Sequence, residues 1–281
     1  MIDLHCHSTF SDGLKTPEEL VEIAVAKGLT ALALTDHDTM AGCASFLAAG
    51  AGKPIELIPG AELSLECATG TFHMLGYWMD PDNAPLNEAM DWVRNARDAR
   101  NRAIVRKLQE LGYDITWEDV LAKVKEDGVM GRPHIAQALI DKGGAKDWND
   151  AFDRLLGDGK PAYVDRARLT PERAIALVRA AGGVAVLGHP VTLNLKAEAL
   201  DEFIGQLAAQ GLAGMECYYS EHSAEQSAEY LAIAKKYGLV PTGGSDFHGK
   251  PGCRLEIGTG FGGLNVPDET VALLKARLAH P

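Results

Sequence analysis

The chain has 281 residues, 46% hydrophobic and 23% charged, which excludes a disordered or fibrous protein and is enough for a sizeable core. Its 27 basic and 39 acidic residues give a net charge of −12. That argues against a protein that coats nucleic acid through positive charge, and no double-stranded DNA partner is expected; an anionic substrate held through metal ions stays open.

Strand-like and helix-like segments alternate from the start. The pattern predicts a strand over Ile2–His7, a helix over Pro17–Lys27 capped by Thr16, a strand over Leu29–Thr35 and an Ala-rich helix over Met40–Ala49. Strands follow at Ile55–Pro59 and Thr71–Trp78. The rhythm then breaks into helices at Asn87–Leu111, Trp117–Lys125, His134–Lys142 and Trp148–Leu156. It resumes with a helix over Pro171–Ala181, a strand over Val184–Leu187, a helix over Ala197–Gln210 and a strand over Gly214–Tyr218. A helix over Ala224–Tyr237, a strand over Leu239–Thr242 and a helix over Pro267–Leu278 close the chain. Repeated βα units favour a parallel sheet covered by helices, and closure into a barrel is one natural solution. The expected organisation is a barrel formed by residues 1–84 and 171–281, with a helical insertion at 85–170 that covers the active site. Residues 84–170 hold 15 basic and 15 acidic residues, so the remainder, with 12 and 24, carries the whole net charge.

Cys6, Cys43, Cys67, Cys217 and Cys253 form no Cys-x-x-Cys pair, so neither a zinc ribbon nor a disulfide framework is expected. With no leader-like N-terminal pattern and no apolar run of ~18 residues, the expected compartment is the cytoplasm, without membrane contact.

The histidines carry the chemistry. His5 and His7 flank Cys6 on the first strand, so alternation puts both imidazoles on one side and the thiol on the other. Alone, such a pair is a weak signal and more often serves a structural or surface role than a metal site. Asp12 follows in a polar turn, where an Asx-turn is the plain alternative. Thr35-Asp36-His37-Asp38-Thr39 stands where an apolar strand stops, Glu62 follows Pro59-Gly60-Ala61, and His73 lies in a strand, where a core histidine is the plain reading. His134 opens a helix of the insertion, Gly188-His189-Pro190 follows an apolar strand, and Ser245-Asp246-Phe247-His248 follows another. As a set, these groups at successive strand ends point to a polynuclear metal site. His222 and His280 have no such context.

This set, from His5-x-His7 through Thr35-Asp36-His37-Asp38, Glu62 and Gly188-His189-Pro190 to Ser245-Asp246-x-His248, resembles the motifs of the PHP (polymerase and histidinol phosphatase) family. The resemblance runs from the first strand to the last. It implies a distorted (β/α)7 barrel with an inserted helical subdomain, similar to the stand-alone phosphoesterases that act as 3′,5′-nucleoside bisphosphate phosphatases or 5′→3′ oligoribonucleases. It also implies three metals. His5, His7, Glu62 and Asp246 would hold one ion, and Glu62 would bridge to a second that takes His73 and His134. Asp12, His37 and His248 would hold the third. His189 is left between metal ligand and phosphate contact, and His189, His248 or a metal-bound water as general acid. The imidazole and carboxylate donors suit two or three divalent ions, with Mn²⁺ favoured and Zn²⁺ or Fe²⁺ as further fits.

The long insertion helix adds Arg94, Arg97, Arg100, Arg102 and Arg106, of which Arg94 and Arg97 share a face with Asn101. Arg97, Asn101, Arg102 and Arg132, with His189, are the expected substrate contacts, although a solvated helix face with salt bridges is the alternative for any one arginine. The expected activity is hydrolysis of the 3′-phosphate of a small 3′,5′-nucleoside bisphosphate by attack of a metal-bound hydroxide. The rivals are a 5′→3′ exonuclease on short RNA, a histidinol-phosphate phosphatase and a C–N bond amidohydrolase.

Overall fold

The Thr16 hydroxyl accepts the Glu19 N–H while the Glu19 carboxylate accepts the Thr16 N–H, and Pro17 takes the first helical position, where its missing N–H costs nothing. This cap starts α1 (Pro17–Ala26), which buries Leu20, Val21 and Ala24. The computed structural model describes residues 1–124, 130–250 and 252–278; Lys125, the predicted end of one helix, and His280 lie outside the described residues.

The strands are β1 (Ile2–Asp3), β2 (Ala31–Leu34), β3 (Glu56–Leu65), β4 (Phe72–Tyr77), β5 (Val184–Leu187), β6 (Gly214–Tyr219) and β7 (Val240–Gly244), joined in sequence order as one sheet. Further helices are α2 (Cys43–Ala49), α3 (Ala84–Glu110), α4 (Trp117–Leu121), α5 (Arg132–Asp141) and α6 (Trp148–Ala151). After them come α7 (Pro171–Ala180), α8 (Ala197–Ala209), α9 (Ala224–Tyr237) and α10 (Glu269–Leu278). No helix among the described residues is long and apolar enough to cross a membrane.

The sheet nearly closes into an α/β barrel. Leu4 N donates to Gly243 O at 3.2 Å and Cys6 bridges Phe247, so the first strand meets the last. Gly244 permits this approach, because a Cβ there would lie 2.4 Å from His5 N and from His5 Cβ. β1 is shorter than the predicted Ile2–His7. Beyond it the Asp3 carboxylate takes over from ladder pairing and accepts the N–H groups of His5, Ser245 and Gly258 at 3.2, 2.9 and 2.7 Å. The sheet is also not wholly parallel. β4 runs antiparallel to both β3 and β5. The segment 66–71 is too short for a crossover helix, so the chain returns as a hairpin.

Residues 1–90 and 169–281 make one compact unit and residues 91–168 another. The barrel interior is filled by Ile2, Leu4, Ala33, Ile58, Leu75 and Val186, and buried Tyr77 donates its hydroxyl proton to Leu4 O at 2.8 Å. The helical unit has its own core around Ile104, Leu108, Ile115, Ile135, Leu139 and Leu155.

Candidate metal centre

Glu62 is the hub of the barrel site. It lies inside β3, which runs on past Pro59, and not at a strand end as its sequence context suggests. Its Oε2 stands 3.4 Å from His5 Nε2, 3.2 Å from His7 Nε2 and 3.0 Å from His37 Nδ1. Its Oε1 stands 2.7 Å from His73 Nδ1 and 2.9 Å from His189 Nε2. Asp246 approaches from beyond β7, with Oδ1 3.1 Å from His7 Nε2 and 3.5 Å from His5 Nε2. Asp12 Oδ1 lies 3.1 Å from His248 Nε2 and 3.8 Å from both His37 Nε2 and His7 Nδ1.

Four overlapping groups of ligand atoms converge in the barrel: His7 with Asp12, His37 and His248; His5 with His189 and Asp246; His5 with His7 and Glu62; and His37 with Glu62 and His73. The grouping differs in detail from that implied by the resemblance. His7 joins the Asp12 group, His37 is shared with Glu62 and His73, and His189 stands with His5 and Asp246. His134 opens α5 in the helical unit, where its Nδ1 accepts the Gly131 N–H at 3.1 Å, so a metal would have to use Nε2.

Whether these residues suit cations is answered by their orphaned atoms. His5 Nε2, His7 Nε2, Asp12 Oδ1, His37 Nδ1, Glu62 Oε2 and Asp246 Oδ1 are all buried without a hydrogen-bond partner. Buried donors and acceptors are rarely left so, and six on one convergent set mark a place built for positive ions. Burial pushes the Glu62 carboxyl up, but His73, His37 and His5 outweigh it and hold it well below the usual carboxylate range. Asp246 and Asp12 are held low in the same way, against burial, by His5, His7 and His248 and by His37, His248 and His7. Burial pulls the His7 imidazole down, but Asp246 and Glu62 overcome it and raise the ring to about 10. His73 goes the other way, to about 4, because burial dominates over Glu62. On His7 a proton thus stands where a cation fits.

Several supporting groups lie outside the motifs. Glu216, a lone charge in apolar β6, accepts from His5 Nδ1 at 3.1 and 3.2 Å and from His189 N at 2.6 Å. Tyr219, three residues on, donates to Asp246 Oδ2 at 2.9 Å. The acids flanking His37 brace its neighbours. Asp36 accepts from Ser8 N at 2.8 Å and from the Ser8 and Ser11 hydroxyls, and Asp38 accepts from Ser64 N at 2.7 Å. Asp38 and Asp246 sit at φ of +52° and +58°, a left-handed conformation that Asp tolerates better than most residues and that clusters at functional sites. The Cys6 thiol points away from the site and donates to Ala33 O at 3.1 Å.

In the helical unit, Arg97, Arg100 and Asn101 are buried on α3. Asn101 donates to Met130 O at 2.9 Å, and Arg132 reaches Leu156 O and Asp158 at 3.3 and 3.4 Å. Arg102 departs from this group. It is exposed on α3, its guanidinium carbon 4.1 Å from the Trp117 ring centroid. Arg100 is not among the expected contacts, yet its Nε is buried without a partner among the described residues. Burial and the nearby Arg132, Arg97 and Arg168 lower its guanidinium to about 9, as desolvation among like charges does.

The sequence matches the PHP domain over residues 3–154. The chain belongs to the PHP domain family. Among its relatives is the 3′,5′-nucleoside bisphosphate phosphatase of Chromobacterium violaceum, 33% identical over 88% of this PHP chain and 87% of the relative. A 5′-3′ exoribonuclease of Haemophilus influenzae is 35% identical over 88% and 89% of the two chains. A crystal structure from Bifidobacterium adolescentis, of a protein assigned provisionally as a metal-dependent phosphoesterase, superposes with a TM-score of 0.83 at 34% identity, over 98% of this chain and 96% of that one. The PHP chain is accordingly an enzyme of the metal-dependent phosphoesterase class, with a His/Asp/Glu cluster able to hold metal ions.

Proposed function

We propose that the chain hydrolyses the 3′-phosphate of a 3′,5′-nucleoside bisphosphate, such as adenosine 3′,5′-bisphosphate, leaving the 5′-monophosphate. The observation that carries this reading is the convergent His/Asp/Glu cluster of the barrel, whose six orphaned buried atoms suit cations that take a phosphate oxygen, while the helical unit adds the buried Arg100, its Nε without a hydrogen-bond partner among the described residues. A substrate with two phosphates needs both kinds of chemistry, one for the bond that breaks and one for the phosphate that stays. The bisphosphatase among the relatives supports it.

In this reading His5, His7, Asp12, His37, Glu62, His73, Asp246 and His248 hold two or three divalent ions, Mn²⁺ by preference and Zn²⁺ or Fe²⁺ as further fits, with His134 as a further ligand candidate. When bound, such ions supply Lewis acidity and lower the pKa of coordinated water. The chain's own groups do the rest. Glu62 stays ionised at the hub, and Glu216 keeps His5 oriented with Nε2 inward. His189 holds a proton at Nε2 against Glu62 Oε1, since Glu62 outweighs the burial that would strip it, and is the group assigned to protonate the leaving oxygen, with His248 as the alternative. Arg97, Arg100, Asn101 and Arg132 receive the retained phosphate. The five free thiols, scattered along the chain, suit a reducing compartment such as the cytoplasm.

The exoribonuclease relative favours a second reading, stepwise 5′→3′ hydrolysis of short RNA. One experiment separates the two. The Mn²⁺-loaded enzyme is given adenosine 3′,5′-bisphosphate, a 5′-phosphorylated tetraribonucleotide, histidinol phosphate and an aryl phosphate. Fast phosphate release from the first, with 5′-AMP as product, is expected. Mononucleotide release from the tetramer at higher efficiency transfers the assignment to the nuclease, and silence on all four rejects the substrate class.

A further inference from the structure

Helix α3 carries a second cationic face, separate from the buried one. Arg102 and Arg106 are exposed and stand one helical turn apart, about 6 Å at their Cβ atoms. With α4 they form a groove of about 610 Å³, lined by Arg102, Arg106, Gln109, Thr116, Trp117 and Glu118. Stacking over Trp117 at 4.1 Å fixes the plane of the Arg102 guanidinium and leaves its in-plane N–H groups to face outward. Neither Arg102 nor Arg106 forms an ion pair with a described residue, although the chain as a whole carries −12.

We propose that this groove binds single-stranded RNA, so that the enzyme engages oligonucleotides through a surface that a mononucleotide does not need. The proposal rests on the phosphoesterase reading above and extends it to the polymer. Three features of the groove select this ligand. Two guanidiniums in a row match consecutive phosphates, whereas a lone phosphate needs only one such place. The indole with the neighbouring Ala99 and Val105 gives an apolar wall against which a base can lie, which an acidic peptide would leave unused. The volume suits one or two nucleotides. The one acidic lining residue, Glu118, lies on α4, so the phosphates of a bound strand follow the α3 side and its bases the Trp117 side. A duplex, with its bases stacked and paired, cannot offer a base to the wall.

Binding is measured on the full-length protein kept metal-free with chelator, by fluorescence anisotropy of a 5′-phosphorylated, 3′-labelled hexaribonucleotide at several salt concentrations. Arg106→Ala is expected to weaken binding roughly 5-fold and to reduce the log–log salt slope by about 0.7, one phosphate contact on a single strand. The Arg102→Ala/Arg106→Ala double variant is expected to lose roughly 20-fold or more, and Trp117→Phe to remove the tryptophan quenching that accompanies binding. On the metal-loaded enzyme, Arg106→Ala is expected to raise KM for the hexamer and leave kcat/KM for adenosine 3′,5′-bisphosphate unchanged. Wild-type affinity in the double variant overturns the proposal, as does equal affinity for a duplex or for an acidic peptide of the same charge. Because affinity is read without turnover, an enzyme inactive on every phosphate ester defeats the substrate assignment while this test still decides on the groove.

Discussion

His5 Nδ1 donates to both carboxylate oxygens of Glu216, at 3.1 and 3.2 Å, and neither side chain is exposed to solvent. A carboxylate can only accept here, so a proton sits on Nδ1 and Nε2 is the atom turned towards Glu62 and Asp246, the one left for a metal. Such carboxylate–histidine pairs fix the tautomer and raise the basicity of a ligating ring. Glu216→Gln is expected to weaken metal affinity about 10-fold and Glu216→Ala about 100-fold. The alanine change also strips the His189 N–H of its 2.6 Å acceptor and is expected to cost a further 1–3 kcal/mol of stability, on the order of one buried unsatisfied group. Metal titration monitored by calorimetry, with chemical denaturation of the metal-free variants, checks both figures. Unchanged affinity in Glu216→Ala would remove Glu216 from the site.

Much of this site was legible in the chain, because most of its ligand candidates stand in short motifs at strand ends. His5 and His7 face inward together and Cys6 outward, as alternation requires. Glu216 was not, for it has no charged neighbour in Gly214-Met215-Glu216-Cys217-Tyr218-Tyr219. The available signal was its isolation, since a single charge inside an apolar strand must find a buried partner. The antiparallel turn of β4 was not readable, because the sequence pattern ends the third strand at Pro59 and leaves a link over 60–70, whereas the strand runs on to Leu65 and shortens the link to 66–71. Arg100 stands three residues after Arg97 and four before the core residue Ile104, a helical spacing that shows a shared buried face only once the apolar positions are packed.

The close approach of β7 to β1 gives a prediction about backbone and not about ligands. Gly244→Ala would put a methyl carbon 2.4 Å from His5 N, closer than any relaxed contact, and the neighbouring atoms are backbone that cannot swing aside. The variant is expected to lose barrel closure and, with it, the positions of His5 and Asp246. Its Tm should fall by at least several degrees, and metal should bind too weakly to restore it. A Gly244→Ala protein with native Tm and full metal occupancy would contradict this closure of β7 on the first strand.

The proton balance of the metal-free centre sets a pH dependence of stability. His7 has an ordinary value of 6.5 and rises to about 10 in the fold, because Asp246 and Glu62 overcome its burial. A folded value above the unfolded one gives stability that is complete below 6.5 and drains away as pH rises towards 10. His5 is raised in the same sense, through Glu216, Asp246 and Glu62 against burial. His73, lowered to about 4, acts only on the acid side of 6.5 and leaves the alkaline arm clear. The chelated protein is therefore expected to lose Tm steadily from about pH 6.5 to about pH 9. With Mn²⁺ present the decline should vanish, since the ion replaces the protons and binds more tightly as they leave. Scanning calorimetry across this range decides the matter, and a chelated protein whose Tm is flat or rises would show that the rings are not protonated.

Arg100 sets stability against function. Its guanidinium is buried, its Nε has no hydrogen-bond partner among the described residues, and Arg132, Arg97 and Arg168 add repulsion to the cost of burial. A fold gains nothing from such an arrangement unless an anion completes it. Arg100→Met keeps much of the length and removes the charge, and is expected to stabilise the free protein by about 1–3 kcal/mol. The same change should raise KM for a phosphorylated nucleotide about 10-fold or more while leaving metal affinity intact. Inorganic phosphate should raise the Tm of the native protein and lose much of that effect in the variant. Denaturation curves with and without phosphate, set beside KM and kcat, test both halves. A variant less stable than the native chain with unchanged KM would mean that Arg100 is a structural residue whose charge is already balanced.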